Sequence, residues 1–397
     1  SRFYAKDKVR FKADNLHLVI ENLKRWWPYG YGKANLYDVT MNVLLSGEIV
    51  SSKKLNVGYR DIELVRTPSK NGEVGEFHFV CNGVKIMCRG TNWVPLSPYH
   101  SQDKERYEQA LPLLTEIGCN IVRCWGGNVY EQEEFYDYCD RNGIMVWQDF
   151  SMACMTYSQH DDFCKKIEEE AVKVVRRLRS HPSIVLWCGD NECDLGMQVF
   201  GTPPNQNRLT REVIPRVLQN NDQSLRTYIP SSQCLDEMCD YNLEWCAENH
   251  LWGNREYHKS DFYVNSKARF LSEIGYLSMP REESVRKFID EDYLWDYKDN
   301  EQWILHSSNQ RNNPKQIDVF IVDTIRQFFG DIPDNLSDFC MASQIVQAEA
   351  MKFFMERVRA DREYFSGIML WNLLDGWPQM STGMVDYYFE KKLSFEY

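Results

Sequence analysis

Long apolar runs and clusters of basic residues are both missing from this sequence of 397 residues. No apolar stretch approaches the roughly 20 residues that a membrane-spanning helix needs. The 46 Lys and Arg are outnumbered by 58 Asp and Glu, and the one basic run, VVRRLRSH at 174–181, suits the solvated end of an amphipathic helix. A nucleic-acid surface requires clustered cations. We therefore expect neither a membrane nor a nucleic acid as a partner.

Paired metal-binding cysteines are also missing, although the chain has 13 cysteines. Three pairs are separated by four residues: Cys119/Cys124, Cys188/Cys193 and Cys234/Cys239. None has the C-x2-C spacing of structural zinc, and no His/Cys/Asp cluster has catalytic metal spacing. The sequence thus predicts no metal and no cofactor. Reduced, buried thiols favour a reducing compartment such as the cytoplasm, while a periplasmic or secreted location stays open because the chain starts without Met.

The first 70 residues have the alternating polar and apolar pattern of antiparallel strands. Strands are predicted at 17–23, 36–45 and 60–67, with GYG and SGE as turn signals, and PSKNGEVG at 68–75 as a polar linker. Three or four strands make half a sandwich. We therefore expect a β-sandwich domain over 1–70 in which either residues 1–12 supply a further strand or the beginning of the domain is missing.

From about residue 77 short apolar strands alternate with amphipathic helices, including helices near 103–117, 131–142 and 163–180. Eight strands are predicted: 86–93, 120–126, 144–150, 183–189, 227–232, 244–252, 268–275 and 366–375. Eight repeats over some 320 residues suit a (β/α)8 TIM barrel, which we assign to 71–397. A doubly wound nucleotide-binding sheet lacks support, since no Gly-rich phosphate loop follows the first strand.

Polar and aromatic residues recur at the C-terminal ends of these strands, where barrel enzymes build their sites. The residues at these ends are Asn92, Trp93, Arg123, Trp125, Asp149, Asn191, Glu192, His250, Trp252, Glu273, Trp371 and Asp375. The chain also has 12 Trp and 22 Tyr, and aromatic rings stack on the apolar faces of sugars. The pattern indicates one pocket at the barrel mouth and favours a carbohydrate ligand.

Two of these residues, Glu192 and Glu273, follow the fourth and seventh strands, whose ends face each other across a barrel mouth. Glycoside hydrolysis needs two opposed carboxyl groups, one as a proton donor and the other as a nucleophile or base. The same pattern also fits two structural glutamates held in ion pairs, and the sequence pattern leaves both interpretations open.

Longer motifs add a family resemblance. LWCGDNE and FLSEIG resemble the acid/base and nucleophile motifs of retaining glycoside hydrolases of clan A, most closely the β-mannosidase branch of family 2. RWWPYGYGKANLYDV (25–39) is similar to a segment of the family's immunoglobulin-like domain, which precedes the barrel. GCNIVRCWGGNVYEQEEFYDYCDRNGIMVWQDF (118–150) and SGIMLWNLLDGWPQMS (366–381) resemble its second, third and closing βα units. The similarity covers roughly 20–390.

The resemblance implies a retaining exo-β-mannosidase that acts through a covalent glycosyl-enzyme. Glu192 would be the acid/base, its pKa raised by a negative neighbour, and Glu273 the nucleophile, kept ionised by Arg123. Asn191 would bind the sugar 2-hydroxyl, and Trp125 and Trp371 would form the walls of the sugar pocket. The remaining substrate-binding candidates are His250, Trp252, Trp93 and Asp149, with Asn92 and Asp375 as further structural or substrate contacts.

Two departures and several alternatives accompany this interpretation. Asp190 stands where the family often has Asn, so it either raises the pKa of Glu192 or faces solvent, and Asn128 replaces a Gly. The family's N-terminal jelly-roll sugar-binding domain is expected in the full-length protein. The alternatives are a β-glucosaminidase, β-galactosidase, β-glucuronidase or endo-β-mannosidase of the same family, an inactive fragment, and a barrel that binds oligosaccharide without cleaving it.

Overall fold

The structure, a computed structural model, describes residues 22–222, 226–252, 257–295, 297–308 and 318–397. Its strands are β1 Tyr37–Leu45, β2 Glu48–Val57, β3 Ile62–Arg66, β4 Phe77–Cys81, β5 Val84–Ile86, β6 Cys88–Trp93, β7 Ile121–Cys124, β8 Met145–Asp149, β9 Ile184–Cys188, β10 Thr227–Ile229, β11 Glu248–His250, β12 Phe270–Ile274 and β13 Gly367–Leu370. Its α-helices are α1 Asp103–Glu116, α2 Glu133–Asn142, α3 Asp161–Leu178, α4 Cys193–Val199, α5 Ile214–Asn221, α6 Asp261–Val264, α7 Glu282–Val285, α8 Glu301–Leu305, α9 Asp323–Phe329, α10 Leu336–Ala360 and α11 Leu393–Glu396.

Strands β6 to β13 form one curled parallel sheet of eight strands in the order β10-β9-β8-β7-β6-β13-β12-β11. The first barrel strand, β6, therefore pairs with both the second and the last. In the described residues, β10 and β11 are the two edge strands of this sheet order and are linked through side chains. The hydroxyl of Ser232, which follows β10, donates to Glu248 of β11 (2.8 Å) and lies 2.9 Å from Nε2 of His250. All eight predicted strands are present, which confirms the TIM-barrel fold.

Two apolar layers hold the barrel together. Inside its base, Phe77 and Phe79 of β4 pack with Trp147 and Phe270, all at most 2% exposed. Outside, apolar side chains of the strands pack against the surrounding helices, so each strand is buried on both faces. This is why the barrel strands read as continuous apolar runs, and why polar side chains are concentrated near the strand tips.

The N-terminal part consists of an antiparallel hairpin, β1–β2, and an antiparallel sheet, β3–β4–β5. This confirms the predicted strands at 36–45 and 60–67 and fits a partial sandwich, while the strand predicted at 17–23 lies outside the described residues except for its last two positions. The sequence reading missed β2. The segment 68–75, predicted to be a polar linker of turn residues, connects the paired strands β3 and β4.

Specific hydrogen bonds fix the N-terminal part to the barrel. Trp26, fully buried, donates from Nε1 to the Asp140 carbonyl (2.8 Å). Arg60 donates to the carbonyls of Pro182 (2.9 Å) and Ile184 (2.6 Å), next to the start of β9. Since these bonds are largely buried, the two parts are held in a defined orientation.

All thirteen cysteines are free thiols, and only Cys154 is exposed. Among the described residues, no helix has both the length and the apolar character that crossing a bilayer demands.

Candidate active site

The segment after β9 directs Glu192 into the barrel mouth. Glu192 has φ +56°, a left-handed conformation that costs roughly 1–2 kcal/mol for a residue with a Cβ. Its amide donates to the Ser232 carbonyl (2.7 Å), and its carbonyl accepts from the Gly196 amide (2.9 Å). These backbone bonds stabilise a sharp turn that ends the strand and begins α4. Of the acidic residues after the strand, Glu192 is therefore the one that lines the pocket, whereas Asp190 and Asp194 are buried.

Glu192 and Glu273 meet at the mouth around His250, with side-chain ligand atoms of all three residues within 4.8 Å of one another. The His250 Nδ1 lies 2.6 Å from Glu192 Oε1 and 3.5 Å from Glu273 Oε2. Glu273 also accepts a hydrogen bond from Trp252 Nε1 (2.9 Å). The two carboxyl groups predicted from opposite strands are therefore brought together.

Arg123 organises the floor of the site. Its guanidinium, fully buried, donates to Glu273 (2.7 Å), to Asp149 (2.8 Å) and to Asn191 Oδ1 (2.7 Å). Because Asn191 accepts from Arg123 through its oxygen, its amide nitrogen is a donor; one hydrogen is directed to the Cys154 sulfur (3.3 Å) and the second is left for the pocket. Asn92 accepts a further bond from Arg123 (3.2 Å).

The electrostatics of the carboxyl pair differ from the sequence expectation. Burial alone would raise the pKa of Glu192, but the hydrogen bond and charge of His250 overcome it and lower that pKa. The shift of the Glu192 pKa is thus opposite in direction to the sequence expectation of a raised pKa. Burial raises the pKa of Glu273, while His250 and Arg123 act against the rise.

His250 has acceptors near both ring nitrogens, and a donor, Nη1 of Arg123, also lies 3.4 Å from Nε2. Burial lowers its pKa, but Glu273 and Glu192 raise it by more, so the net shift is upward. Nδ1–H can donate to Glu192, and Nε2–H can donate to Ser232, whose hydroxyl donates to Glu248. The two carboxylates and the hydroxyl suit the doubly protonated imidazolium, and the cation of Arg123 opposes it.

Three tryptophans form an aromatic wall of the cavity, which has a volume of about 1210 Å³. Trp125 meets Trp371 edge to face with ring centroids 5.2 Å apart, and Trp252 does the same at 6.3 Å. Glu192, Glu273, His250 and Asn191 line the same cavity. An aromatic wall beside paired carboxylates gives a sugar ring both an apolar surface and a reactive centre.

The structure does not bring Trp93 into this cavity. Strand residues alternate between the two faces of a sheet, and in β6 Asn92 points inward, which turns Trp93 outward. Trp93 donates to Glu131 (3.0 Å) and packs against Phe135 with ring centroids 5.0 Å apart. Its assignment to substrate binding is therefore corrected to a role in the core.

Asp149, Asn92 and Asp375 are likewise buried away from the cavity surface. Asp149 accepts from Arg123 and from the Gly126 amide (3.0 Å), so it acts through Arg123. Asp375 accepts from Ser381 (2.6 Å) and Gln379 (3.1 Å) beyond the last strand. Asp149 and Asn92 therefore position Arg123, and Asp375 positions Ser381 and Gln379.

Asp190 is fully buried, so the alternative that it faces solvent was wrong. It accepts hydrogen bonds from the Ser231 hydroxyl (2.5 Å) and the Cys193 amide (3.2 Å). Burial, with Asp194 adding to it, raises the pKa of Asp190 to about 8. Asp190 therefore ties the segment after β9 to the segment after β10.

Sequence reasoning missed Cys154, which lines the cavity beside the two key residues of the fourth strand. Its thiol lies 3.6 Å from Glu192 Oε2 and accepts from Asn191 Nδ2 (3.3 Å). Burial and the charge of Glu192 raise its pKa to about 12, so it stays a neutral thiol. The sequence signal that could have identified Cys154 was its position five residues after the C-terminal end of β8, on the side of the barrel where the site lies.

Glu192, His250 and Glu273 also satisfy the distance requirement for three ligands of one ion, as do Asp137, Asp140 and His181 at the barrel base. In the first group, His250 and Trp252 already supply hydrogen bonds to the carboxylates. In the second group, His181 bonds Asp140 (2.7 Å). The absence of a metal requirement stays a prediction.

Comparisons with known proteins agree with this site. A family model described as "Glycosyl hydrolases family 2, TIM barrel domain" matches residues 73–350, and one described as "Glycosyl hydrolases family 2" matches 3–60. The chain is 30% identical to "Beta-mannosidase B" of Aspergillus clavatus over 394 residues, covering 93% of this chain and 45% of that protein. It is also 30% identical to "Beta-mannosidase" of Capra hircus, covering 96% of this chain and 45% of that protein.

Solved structures share the fold. A beta-D-mannosidase from Dictyoglomus thermophilum superposes with a TM-score of 0.85 at 32% identity, over 95% of this chain and 46% of that one. An exo-chitosanase from Amycolatopsis orientalis reaches 0.73 at 17% identity, over 94% and 43%. The chain thus spans about 45% of the length of these curated relatives. It belongs to glycosyl hydrolase family 2 and lies on its β-mannosidase branch.

Proposed function

We propose that this chain is the catalytic part of a retaining exo-β-mannosidase, which removes terminal β-D-mannose by double displacement. The observation that carries the proposal is the spacing of Glu192 and Glu273, whose nearest carboxylate oxygens lie within 4.8 Å. Retaining enzymes hold their carboxyl groups about 5–5.5 Å apart, and inverting enzymes hold them about 6.5–9.5 Å apart to admit a water molecule. The spacing supports direct attack by one carboxylate.

In the first step Glu273 attacks the anomeric carbon, and its C–O bond forms as the glycosidic C–O bond breaks. Arg123 and Trp252 hold the two oxygens of Glu273 and thereby set its orientation. Glu192 gives a proton to the leaving oxygen. His250 can supply that proton to Glu192 across 2.6 Å, which compensates for the lowered pKa of the acid.

In the second step Glu192 removes a proton from water, and the water oxygen displaces Glu273 from the anomeric carbon. Esterification of Glu273 has removed one negative charge next to His250 by then. Asn191, oriented by Arg123, donates the amide hydrogen that Cys154 does not accept toward the sugar 2-hydroxyl. Cys154 contacts both Asn191 and Glu192 and thereby holds the two side chains in position relative to each other.

The identity of the sugar and the organisation of the whole protein belong to this proposal. The relatives described as β-mannosidases support mannose. Family-model matches at 3–60 and 73–350 support the division into domains 1–70 and 71–397. The relatives are more than twice as long, which supports an additional N-terminal jelly-roll domain that completes the sugar pocket.

The test is to trap the intermediate with activated 2-fluoro mannosyl, glucosyl and galactosyl donors, followed by intact mass and peptide mapping. We expect a mannosyl adduct on Glu273 that is lost in Glu273→Gln. Glu131→Gln, which changes a buried glutamate outside the cavity, is the matched control and should still be labelled. An adduct from another donor alone would refute mannose, and labelling of a different residue would refute the mechanism.

A further inference from the structure

One buried acidic side chain beside the site, Glu248 on β11, has no part in the mechanism described above. It is 4% exposed, and its Oε1 accepts hydrogen bonds from two hydroxyl groups. One belongs to Ser232 after β10 (2.8 Å), and the other belongs to Ser272 on β12, next to Glu273. An ionised carboxylate accepts and does not donate, so both hydroxyl hydrogens are directed to Glu248. Glu248 therefore fixes where these two hydroxyl groups point.

A chain of hydrogen bonds connects Glu248 to Glu192 through His250. The Ser232 hydroxyl, which donates to Glu248, lies 2.9 Å from His250 Nε2 and has a lone pair free to accept the Nε2 proton. The other ring nitrogen, Nδ1, lies 2.6 Å from Glu192 Oε1. Glu248 and Glu192 thus act on opposite nitrogens of one buried imidazole, the first through a hydroxyl group and the second directly.

Two neighbours of Nε2 compete to decide which nitrogen of neutral His250 keeps its proton. Arg123 Nη1 lies 3.4 Å from Nε2, and a hydrogen bond donated from there would leave the ring proton on Nδ1. The same Nη1 is closer to Glu273, to which it donates across 2.7 Å. The Ser232 hydroxyl is nearer to Nε2 than Arg123 is, and because its hydrogen is given to Glu248 it accepts there. The pattern therefore places the ring proton on Nε2.

Charged groups face His250 from several elements of the barrel. Glu192, after β9, and Glu273, on β12, both lie near Nδ1, whereas Glu248 Oε1 lies 3.8 Å from Nε2 and Arg123 on β7 brings a positive charge. In the proposed mechanism Glu273 loses its charge when it is esterified, and Glu192 changes its protonation state. Glu248 keeps its charge in both steps. It is thus the carboxylate that can hold the imidazole in one state throughout the cycle.

We propose that Glu248 is a positioning residue for acid/base catalysis: through the Ser232 hydroxyl it holds a proton on Nε2 of His250, so that Nδ1 exchanges a proton with Glu192. This inference rests on the proposed function and extends it. In the first step the Nδ1 proton passes to Glu192, which gives it to the leaving oxygen as the glycosidic C–O bond breaks. In the second step Glu192 takes a proton from the attacking water and returns it to Nδ1, which restores the imidazolium.

The test compares the pH dependence of kcat/KM for methyl β-mannoside and for 2,4-dinitrophenyl β-mannoside, whose leaving group needs no proton. Glu248→Gln keeps the size of the side chain and removes its charge, so the His250 proton is lost at lower pH. The alkaline limb for the methyl glycoside should move down by about one pH unit, the shift expected for one lost charge-assisted hydrogen bond. Ser232→Ala should move the limb in the same direction. The limb for the dinitrophenyl glycoside should not move.

Two variants separate this role from a structural one. Ser272→Ala removes the other hydroxyl group bonded to Glu248 and leaves the chain to His250 intact, so it is the matched control. Its alkaline limb should stay at the parent position. Glu248→Asp keeps the negative charge and should restore most of the limb position that Glu248→Gln loses. An equal fall in kcat/KM at every pH, without movement of the limb, would overturn the proposal.

Failure of the parent protein to cleave either mannoside would instead refute the proposed function. Nitrogen-15 NMR of histidine-labelled protein then decides the role of Glu248 by itself, with His250→Asn used to identify the signals. At a pH where His250 is neutral, the parent should show the form protonated on Nε2. Glu248→Gln and Ser232→Ala should gain the form protonated on Nδ1, because Nε2 then accepts from its neighbours. Identical nitrogen shifts in all three proteins would reject the proposal.

Discussion

Replacement of Arg123 by Met tests whether the buried carboxylates at the floor of the site depend on the charge of Arg123. The guanidinium is fully buried and serves four side chains, among them the carboxylates of Asp149 and Glu273. Met keeps much of the volume and removes every donor. Asp149 then retains the Gly126 amide, Trp147 Nε1 and the Cys188 thiol as uncharged donors, and it remains buried.

Removing one partner of a buried ion pair costs about 3–5 kcal/mol, because the charge left behind has no compensation. We expect a loss of that size in the free energy of unfolding of Arg123→Met. The loss should grow with pH. Burial raises the pKa of Asp149 even with Arg123 present, so without it the folded variant binds more protons than the unfolded chain, and its stability falls as pH rises.

The assay is urea unfolding followed by tryptophan fluorescence at pH 5 and pH 8, with Asp149→Asn made alone and together with Arg123→Met. In the double variant no unpaired charge remains on Asp149, so stability should return in part, by about 1–3 kcal/mol. A loss below about 1 kcal/mol in Arg123→Met, or no recovery in the double variant, would refute the reasoning.

Three further predictions concern single side chains. Glu192→Gln should slow poor leaving groups far more than 2,4-dinitrophenolate, which needs no proton; equal losses across a leaving-group series would contradict the acid role. Cys154→Ser, which keeps a donor, should retain more kcat than Cys154→Ala at similar KM, whereas identical variants would show that the thiol only fills space. Asp190→Asn should remove a loss of stability between about pH 4 and about pH 8, because over that range the folded protein keeps the Asp190 proton and the unfolded chain does not; parallel urea midpoints for both proteins would count against it.

The barrel was predictable because its strands are buried on both faces and end in polar side chains. All eight strands were found from apolar runs, and Glu192 and Glu273 from their places at two of the ends. Strand β2 was missed for the opposite reason. Its side chains are mostly exposed on both faces, so no alternation marks GEIVSSKKLNV as a strand, and only its partner β1 does.

Details of the site could not be read from strand ends alone. Whether Asn92 or Trp93 faces the barrel interior depends on register, and one residue of shift exchanges them. The pKa of Glu192 depends on a contact with His250 from a strand 58 residues further along the chain. Cys154 reaches the pocket through an irregular segment that has no periodic pattern.

The packed base of the barrel has a kinetic consequence. Phe77, Phe79 and Phe270 fill the lower interior, so in the described part of the chain a molecule that enters at the mouth also leaves there. Under the proposed mechanism the departing alcohol and the incoming water use one passage in turn. An alcohol that lingers in that passage competes with water for the glycosyl-enzyme, and added acceptor alcohols should therefore divert the reaction from hydrolysis to transglycosylation.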